Sequence, residues 1–194
     1  LIAAAGMPLA APSANRSGQL SPTTAGHVLA DLDGRIEAVL DAGSCPVGIE
    51  SSIVACLDGA PRLLRAGGAA REALEAALGR PLESAAAGGD AEAPLSPGRL
   101  SSHYAPQARL RLEADAPGPG EAYLAFGARG RLPSGASLDL SPAGDLTEAA
   151  ARLYGCLRAL DAAGPAVIAV APIPPVGLGE AINDRLQRAA APRQ

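Results

Sequence analysis

The amino-acid sequence predicts an α/β protein with two sheet-containing units joined by a linker. Short apolar runs rich in β-branched residues alternate with segments of helical periodicity, which is typical of α/β folds. Glycine (23) and proline (18) fall in discrete clusters between these segments, which favours loops over general disorder. Residues 166–170 are wholly apolar, as expected of a strand buried on both faces of a parallel sheet. We place the first unit at residues 1–84, the linker at 85–107 and the second unit at 108–194.

The first unit carries signals for helices and strands in alternation. Residues 21–24 (Ser-Pro-Thr-Thr) are a helix start, because a hydroxyl caps the first turn and proline is tolerated there. Gly79 ends a later amphipathic helix, and Pro81 follows it. In chain order, the predicted elements are the tail of a helix over 1–6, a helix from residue 21 through 29, strands over 36–40, 49–57 and 62–65, and a helix over 71–78.

The remaining residues read as a linker and a second alternating unit. Residues 83–102 are rich in Ala, Gly, Pro and Ser without periodicity, which is a linker composition. Leu146, Leu153, Leu157 and Leu160 recur at helical spacing. The predicted elements of the second unit are strands over 109–112, 123–126 and 166–170, and helices over 145–162 and 179–190.

Composition excludes several classes of function. The net charge is −4, whereas nucleic-acid binders usually present a basic surface, so direct RNA binding is not expected. All sixteen basic residues are Arg, which excludes a P-loop or Schiff-base lysine within these residues. Cys45, Cys56 and Cys156 are far apart with no nearby His, so we predict no zinc site and reduced thiols. No apolar run reaches membrane-spanning length, and we predict a cytoplasmic protein without membrane contact.

Two segments near the start of the chain suit anionic ligands. Residues 12–18 (P-S-A-N-R-S-G) and the helix start at 21–24 bring hydroxyls, exposed N–H groups and a helix dipole together, as phosphate sites do. A capped loop before a helix is the alternative. Residues 47–54 (V-G-I-E-S-S-I-V) place an acid and two serines inside an apolar strand, which is costly unless those groups are satisfied. A strand start with a satisfied Ser pair is the alternative.

Two later segments carry candidate ligand contacts. Arg65 precedes Gly67-Gly68 at a strand end, where its side chain could bind a phosphate or carboxylate bidentately, although a solvated surface Arg is the alternative. Residues 96–99 (S-P-G-R) and 103–106 (H-Y-A-P) end the linker, where His could act as an acid or base and Tyr could stack on a nucleobase. The alternative is a hydrophobic anchor that pins the linker. His27 is interpreted as structural.

In order, these motifs resemble those of the threonylcarbamoyl-AMP synthase family in its long, two-domain form. The matches are P-S-A-N-x-S-G with S-P-T-T, G-x-E-S-S in place of G-x-E-S-T, L-x-R-x-G-G, S-P-G with H-Y-A-P, and G-L-G-E-A-I-N-D-R-L at 177–186. The resemblance implies the C-terminal half of a YrdC-like twisted α/β domain, a linker and a small Rossmann-like α/β domain. It also implies a nucleotidyltransferase that converts L-threonine, bicarbonate and ATP into threonylcarbamoyl-adenylate and pyrophosphate. A tRNA-modifying transferase complex would use that product to make threonylcarbamoyladenosine.

The resemblance also implies roles for individual residues. Those expected to contact ATP or the adenylate are Ser13, Ser21, Arg65 and Tyr104. Those expected to contact threonine are Ala11, through its backbone, and Ser51. Supporting positions are Asn15, Ser17 and His103. Magnesium is expected on the ATP phosphates, but the sequence shows no carboxylate cluster that would hold it alone, and we assign no metal ligand and no catalytic group.

The sequence departs from the family pattern at its start. The family's N-terminal half carries a P-T-E-T-x-Y-G-like threonine segment and a K-x-R phosphate motif, and this chain has neither. We therefore expect an N-terminally truncated piece, inactive by itself and with little affinity for ATP. Two alternatives remain: a non-catalytic module that binds a nucleotide, RNA or a partner, and a carbamoyl-transfer relative like the YrdC-like domains of hydrogenase maturation factors. The motif at 177–186 favours the synthase over the carbamoyl-transfer relative.

Overall fold

Two separate sheets divide the chain in the computed structural model, which describes residues 1–57, 59–84, 104–128 and 132–192. The first sheet has three strands in the order β1-β2-β3, and the second has four in the order β4-β7-β5-β6. Helices accompany both sheets, so the predicted α/β class is confirmed. The predicted boundaries at 84/85 and 107/108 stay predictions, and residues 85–103 lie outside the described part of the chain.

The first unit is built around the β1–β2 pair. Its elements are α1 (Ile2–Ala5), α2 (Ala25–Leu32), β1 (Ile53–Ala55), β2 (Arg62–Arg65), α3 (Arg71–Leu78) and β3 (Glu83–Ser84). Strands β1 and β2 are antiparallel, with an irregularity between Ile53 and Val54, and β2 and β3 are parallel. Helix α3 ends as predicted at Gly79, whose left-handed backbone closes the last turn.

The second unit has a wholly parallel sheet. Its elements are β4 (Arg109–Arg111), β5 (Ala122–Ala125), β6 (Ser137–Asp139), α4 (Leu146–Ala162), β7 (Val167–Val170) and α5 (Leu178–Ala190). Strand β7 lies between β4 and β5, with both neighbours parallel to it. This central position explains its wholly apolar sequence, because both of its faces are covered. The predicted buried parallel strand is therefore confirmed.

Three predictions about local structure are corrected. Residues 36–40 form no strand, and Leu40 is largely exposed, because β-branched residues make a strand only beside a neighbour that completes the backbone ladder. The strand predicted over 49–57 is confined to Ile53–Ala55. Helix α2 begins at Ala25 and not at residue 21, and the predicted hydroxyl cap is Thr24, which accepts the His27 N–H at 3.2 Å. Sequence periodicity also missed the short strands β3 and β6.

A shared apolar core joins the two units. Leu20 and Ile49 of the first unit pack in one cluster with Leu153 and Leu157 of α4 and Ile182 of α5. Among the described residues, no helix is both long and apolar enough to cross a bilayer.

Gly48 brings the first unit into backbone contact with α4. Its φ is 72°, in the left-handed region that favours glycine. A Cβ at this position would lie 2.4 Å from the carbonyl oxygen of Ala150 and 2.4 Å from the Cα of Ala151. The glycine of the G-x-E-S-S motif is thus required by the approach of the second unit.

Candidate functional site

The G-x-E-S-S and L-x-R-x-G-G motifs lie against each other, and their backbones are in direct contact. The Gly68 N–H donates to the carbonyl of Glu50 at 2.8 Å. A Cβ on Gly67 would lie 2.3 Å from that same carbonyl oxygen and 2.4 Å from the Ser52 nitrogen. The Ser52 hydroxyl donates to the Ala69 carbonyl at 2.6 Å. Two motifs that are separate in sequence therefore form one surface.

Arg65 lies at the end of β2 with its side chain held by Ser51. Its Nε and Nη2 donate to the Ser51 carbonyl at 3.1 and 3.0 Å, and Nη2 lies 3.2 Å from the Ser51 hydroxyl. Arg65 is only 9% exposed, whereas Arg62, three residues earlier on the same strand, faces solvent. The structure thus places side by side two residues that the family resemblance assigned to different ligands, and the solvated alternative for Arg65 does not hold.

Ser21 joins this surface through Glu50. The buried Ser21 hydroxyl donates to Glu50 Oε1 at 2.8 Å. Glu50 also accepts the Tyr154 hydroxyl at 3.1 Å and Arg185 Nε at 2.7 Å. Sequence reasoning noted an acid in this apolar segment but assigned no role to it, and it missed Tyr154 and Arg185. The sequence feature that could have indicated these partners is the acid within an apolar run, because such a group requires hydrogen-bond donors when the run is packed.

Electrostatics keep Glu50 ionised. Burial opposes its charge most strongly, but the charge and hydrogen bond of Arg185 and the hydrogen bond of Ser21 together hold the pKa of Glu50 below its ordinary value. For Arg185, burial likewise disfavours the charge, yet attraction to Glu50 leads the effects that raise its pKa. Burial, then the Glu50 charge, raises the pKa of Tyr154, so this phenol remains a donor.

Tyr104 is buried against two residues of the second unit, Tyr154 and Arg185. Its ring centroid is 5.6 Å from that of Tyr154, and the Arg185 guanidinium carbon is 5.3 Å from the Tyr104 centroid. The residue is 2% exposed and has φ 60°. Burial raises the pKa of its phenol, and the Glu50 charge adds to that. The anchor alternative for the H-Y-A-P segment therefore has support at Tyr104, while His103 lies outside the described residues.

The P-S-A-N loop lies apart from this cluster in its hydrogen bonding. Asn15 shapes the loop, since its Nδ2 donates to the carbonyls of Arg16 (2.8 Å) and Gln19 (3.2 Å). Ala11, Ser13 and Ser17 are exposed, and the hydrogen bonds of the described residues do not connect their side chains to Ser51 or Arg65. Next to Tyr104, the Ala105 N–H donates to the Gly18 carbonyl at 3.0 Å, which ties the end of the loop to the H-Y-A-P segment.

His27 is part of a helix start. The Thr23 N–H lies 3.2 Å from its Nδ1, and burial, followed by the charge of Arg158, lowers its pKa. Within the described ranges, no group of three or more His, Cys, Asp or Glu side chains is arranged to hold a metal ion.

Comparison with known proteins matches both units. A family model described as "Threonylcarbamoyl-AMP synthase, C-terminal domain" matches residues 69–191, and one described as "Telomere recombination" matches residues 1–67. The curated threonylcarbamoyl-AMP synthase of Bacillus subtilis is 37% identical over 207 residues, covering 100% of this chain and 60% of the relative. That of Pyrococcus abyssi is 35% identical over 201 residues, covering 96% of this chain and 58% of the relative. The chain thus spans about three fifths of the length of these relatives.

Two solved structures share the fold. A crystal structure of Pyrococcus abyssi Sua5 complexed with L-threonine superposes with a TM-score of 0.85 at 30% identity, covering 97% of this chain and 59% of that one. A second structure of the same protein, in which an adjacent histidine and tyrosine are replaced by alanine, gives a TM-score of 0.83 at 30% identity. It covers 97% of this chain and 58% of that one.

Proposed function

Because this chain belongs to the threonylcarbamoyl-AMP synthase family, we propose that its protein is an L-threonylcarbamoyladenylate synthase. The substrates would be L-threonine, bicarbonate and ATP, and the products threonylcarbamoyl-AMP and pyrophosphate. The observation that carries the proposal is the direct contact of the two motifs, which seats Arg65 on Ser51 beside Glu50. The L-threonine complex of the Pyrococcus abyssi relative supports threonine as the amino-acid substrate.

The reaction needs two anions to approach each other. The threonine amine and bicarbonate form a carbamate with the release of water. A carbamate oxygen then attacks the α-phosphorus of ATP while the bond to the β-phosphate breaks and pyrophosphate leaves. Negative charge accumulates on the α-phosphate during this step, so donors already aimed at that place lower the barrier. Holding carbamate and ATP together against their repulsion supplies a further part of the acceleration.

Arg65 is suited to the phosphate side of this reaction. Its contacts with Ser51 involve a carbonyl and a hydroxyl, which fix the guanidinium without neutralising its charge. In this proposal the Ser51 hydroxyl, which lies next to Arg65, contacts the threonine substrate. The exposed loop would contribute further ligand contacts, from Ala11, Ser13, Asn15 and Ser17. Tyr104 would support the site by covering the guanidinium of Arg185.

Magnesium would accompany ATP. The described residues offer no cluster of metal ligands, and Glu50 is already engaged by Ser21, Tyr154 and Arg185. The ion would therefore arrive on the triphosphate, held by its phosphate oxygens. A tRNA-modifying transferase complex would consume the product, and the net charge of −4 favours such a partner over direct tRNA binding by this chain.

The proposal is tested with protein produced from the complete coding sequence. Pyrophosphate release from Mg-ATP is followed with and without L-threonine and bicarbonate, and the product is identified by mass spectrometry. We expect Arg65→Ala to lower kcat/KM about a hundredfold, because it removes a donor to the α-phosphate. Arg62→Ala, on the exposed side of the same strand, is the matched control and should retain activity. Pyrophosphate release that does not require threonine, or normal turnover by Arg65→Ala, would contradict the assignment.

A further inference from the structure

Two side chains of the second unit contact residues of the candidate site. Tyr154 lies on α4 and Arg185 on α5, and each is 1% exposed. Both donate to Glu50, which immediately precedes Ser51. A charged side chain this deeply buried is rare unless it is paired.

Arg185 spans the two motifs with a single guanidinium. Its Nε donates to Glu50 at 2.7 Å and its Nη2 to the carbonyl of Ala66 at 2.9 Å. Ala66 directly follows Arg65, as Glu50 directly precedes Ser51. The group therefore connects the chain neighbour of Ser51 to the chain neighbour of Arg65, and so braces the contact between them from behind.

Other contacts reinforce this bracing. Arg185 also pairs with Asp184, which orients the guanidinium, and the Tyr104 ring covers its face. The Tyr154 hydroxyl reaches both carboxylate oxygens of Glu50 at 3.1 Å and so limits rotation of that carboxylate. Fixed carboxylate and fixed guanidinium leave the Glu50–Ser51 and Arg65–Ala66 segments little freedom to move apart.

We propose that Arg185 and Tyr154 are positioning residues, through which the second unit holds Ser51 and Arg65 in register for the reacting anions. This inference rests on the proposed function and deepens it, because it makes the second unit part of the machinery that aligns the site. Loss of the bracing would leave the donors present but misaligned, and small misplacements of catalytic groups are costly. The effect should therefore fall on kcat more than on KM.

The choice of variants separates positioning from a general loss of stability. Tyr154→Phe removes one hydroxyl and keeps the ring. Arg185→Lys keeps the charge but replaces the planar guanidinium, which uses separate nitrogens for Glu50 and Ala66, by a single nitrogen. Glu180→Gln is the matched control: it removes the charge from another contact of α5 with the first unit, the ion pair with Arg71, which touches neither motif. Thermal unfolding of every variant is measured alongside its kinetics.

Steady-state kinetics on protein from the complete coding sequence give the main readout. We expect roughly a tenfold fall in kcat for Tyr154→Phe and a larger fall for Arg185→Lys, with little change in KM. Glu180→Gln should stay within about twofold of the wild-type kcat even if its Tm falls. In the Arg65→Ala background, Tyr154→Phe should add less than about twofold, because residues that act through one group are not additive.

A second readout does not depend on the reaction. The Arg65 Nε–H donates to the Ser51 carbonyl, so its solvent exchange, followed by NMR without ligand, reports on that contact. We expect faster exchange in Tyr154→Phe and Arg185→Lys but not in Glu180→Gln. If the wild-type protein forms no threonylcarbamoyl-AMP, the proposed function fails while this exchange still tests the bracing. Unchanged kcat, unchanged exchange, or equal losses in Glu180→Gln would each overturn the positioning role.

Discussion

At the scale of single residues, Glu50 shows how a partly buried carboxylate is retained in an apolar segment. Moving a carboxylate out of water is costly, and an uncompensated one would be protonated. Here donors from Ser21, Tyr154 and Arg185 replace the lost water. Because the three donors come from different parts of the chain, the carboxylate ties those parts together.

Glu50→Gln should make the free energy of unfolding less dependent on pH in the acidic range. The folded-state pKa of Glu50 is depressed from 4.5, so its contribution is present above about pH 4.5 and is lost as the pH falls through the folded value. At pH 7 the variant should be less stable by about 3 kcal/mol, since Arg185 loses one of its two charged partners and keeps only Asp184 among the described residues. The gap to wild type should narrow as the pH falls through the folded-state pKa of Glu50, because the wild-type carboxylate then becomes protonated.

Urea unfolding at several pH values between 7 and 3 measures that gap. Glu121, whose pKa is lowered to about 2 by its hydrogen bonds with Arg111 and the Gly118 N–H, titrates in both proteins, so the difference between them isolates Glu50. Glu37→Gln, at an exposed position, is the control and should stay within about 0.5 kcal/mol of wild type. A gap that is constant with pH would mean that Glu50 does not titrate with folding.

At the scale of elements, α4 connects the second sheet to the first unit. Its apolar side packs on the second sheet, while Tyr154 and Arg158 reach the first unit. Arg158 donates to Asp31 at 2.6 Å beside the end of α2. The helix begins at Asp145, whose carboxylate accepts the N–H groups of Thr147 (2.6 Å) and Glu148 (3.2 Å).

Removing that cap should destabilise the second unit. Asp145→Ala leaves two N–H groups of the first turn without their acceptor, and we expect Tm to fall by roughly 2–4 °C. Asp145→Asn keeps a side-chain oxygen at the same place and should recover most of the loss. Circular dichroism at 222 nm during heating provides the measurement. Equal losses in the alanine and asparagine variants would show that the hydrogen bonds of the cap are not what stabilises α4.

At the scale of the whole molecule, the two units share a core and several polar contacts. Leu20 and Ile49 belong to the same cluster as Ile182, and the Arg71–Glu180 and Arg158–Asp31 pairs flank it. Their unfolding should therefore be cooperative, with amides of β2 and β7 losing protection together. At Gly48 the backbone of the first unit lies directly against that of α4.

Gly48→Ala should uncouple the units, whereas Gly34→Ala should not. The two glycines have nearly equal φ values, 72° and 71°, so both variants carry the same backbone strain. Only at Gly48 would the new Cβ meet α4, 2.4 Å from the Ala150 carbonyl, while at Gly34 nothing lies within 4 Å. We expect Gly48→Ala to lose about 2 kcal/mol more than Gly34→Ala.

Hydrogen exchange during urea unfolding distinguishes the outcomes. In wild type and Gly34→Ala, β2 and β7 should open at the same urea concentration, and in Gly48→Ala β2 should open first. Identical behaviour of the two glycine variants would place the coupling elsewhere in the interface.

Local sequence determined those elements whose signals lie within one stretch of chain. Helix α3 with its Gly79 end, helix α4 with its Asp145 start, and the wholly apolar β7 all follow from neighbouring residues. The ordered motifs likewise sufficed to identify the family, since they match over the length of the chain. Periodicity and capping are properties of short segments, and a sequence displays them directly.

Tertiary structure alone decided which segments became strands and which side chains met. Residues 36–40 have strand composition but remain unpaired among the described residues, whereas the weakly marked β6 pairs along β5. The Glu50–Arg185 pair joins residues 135 positions apart, and neither local segment predicts its partner. Strand pairing and burial of a charge both depend on a distant partner, and only the folded chain supplies that partner.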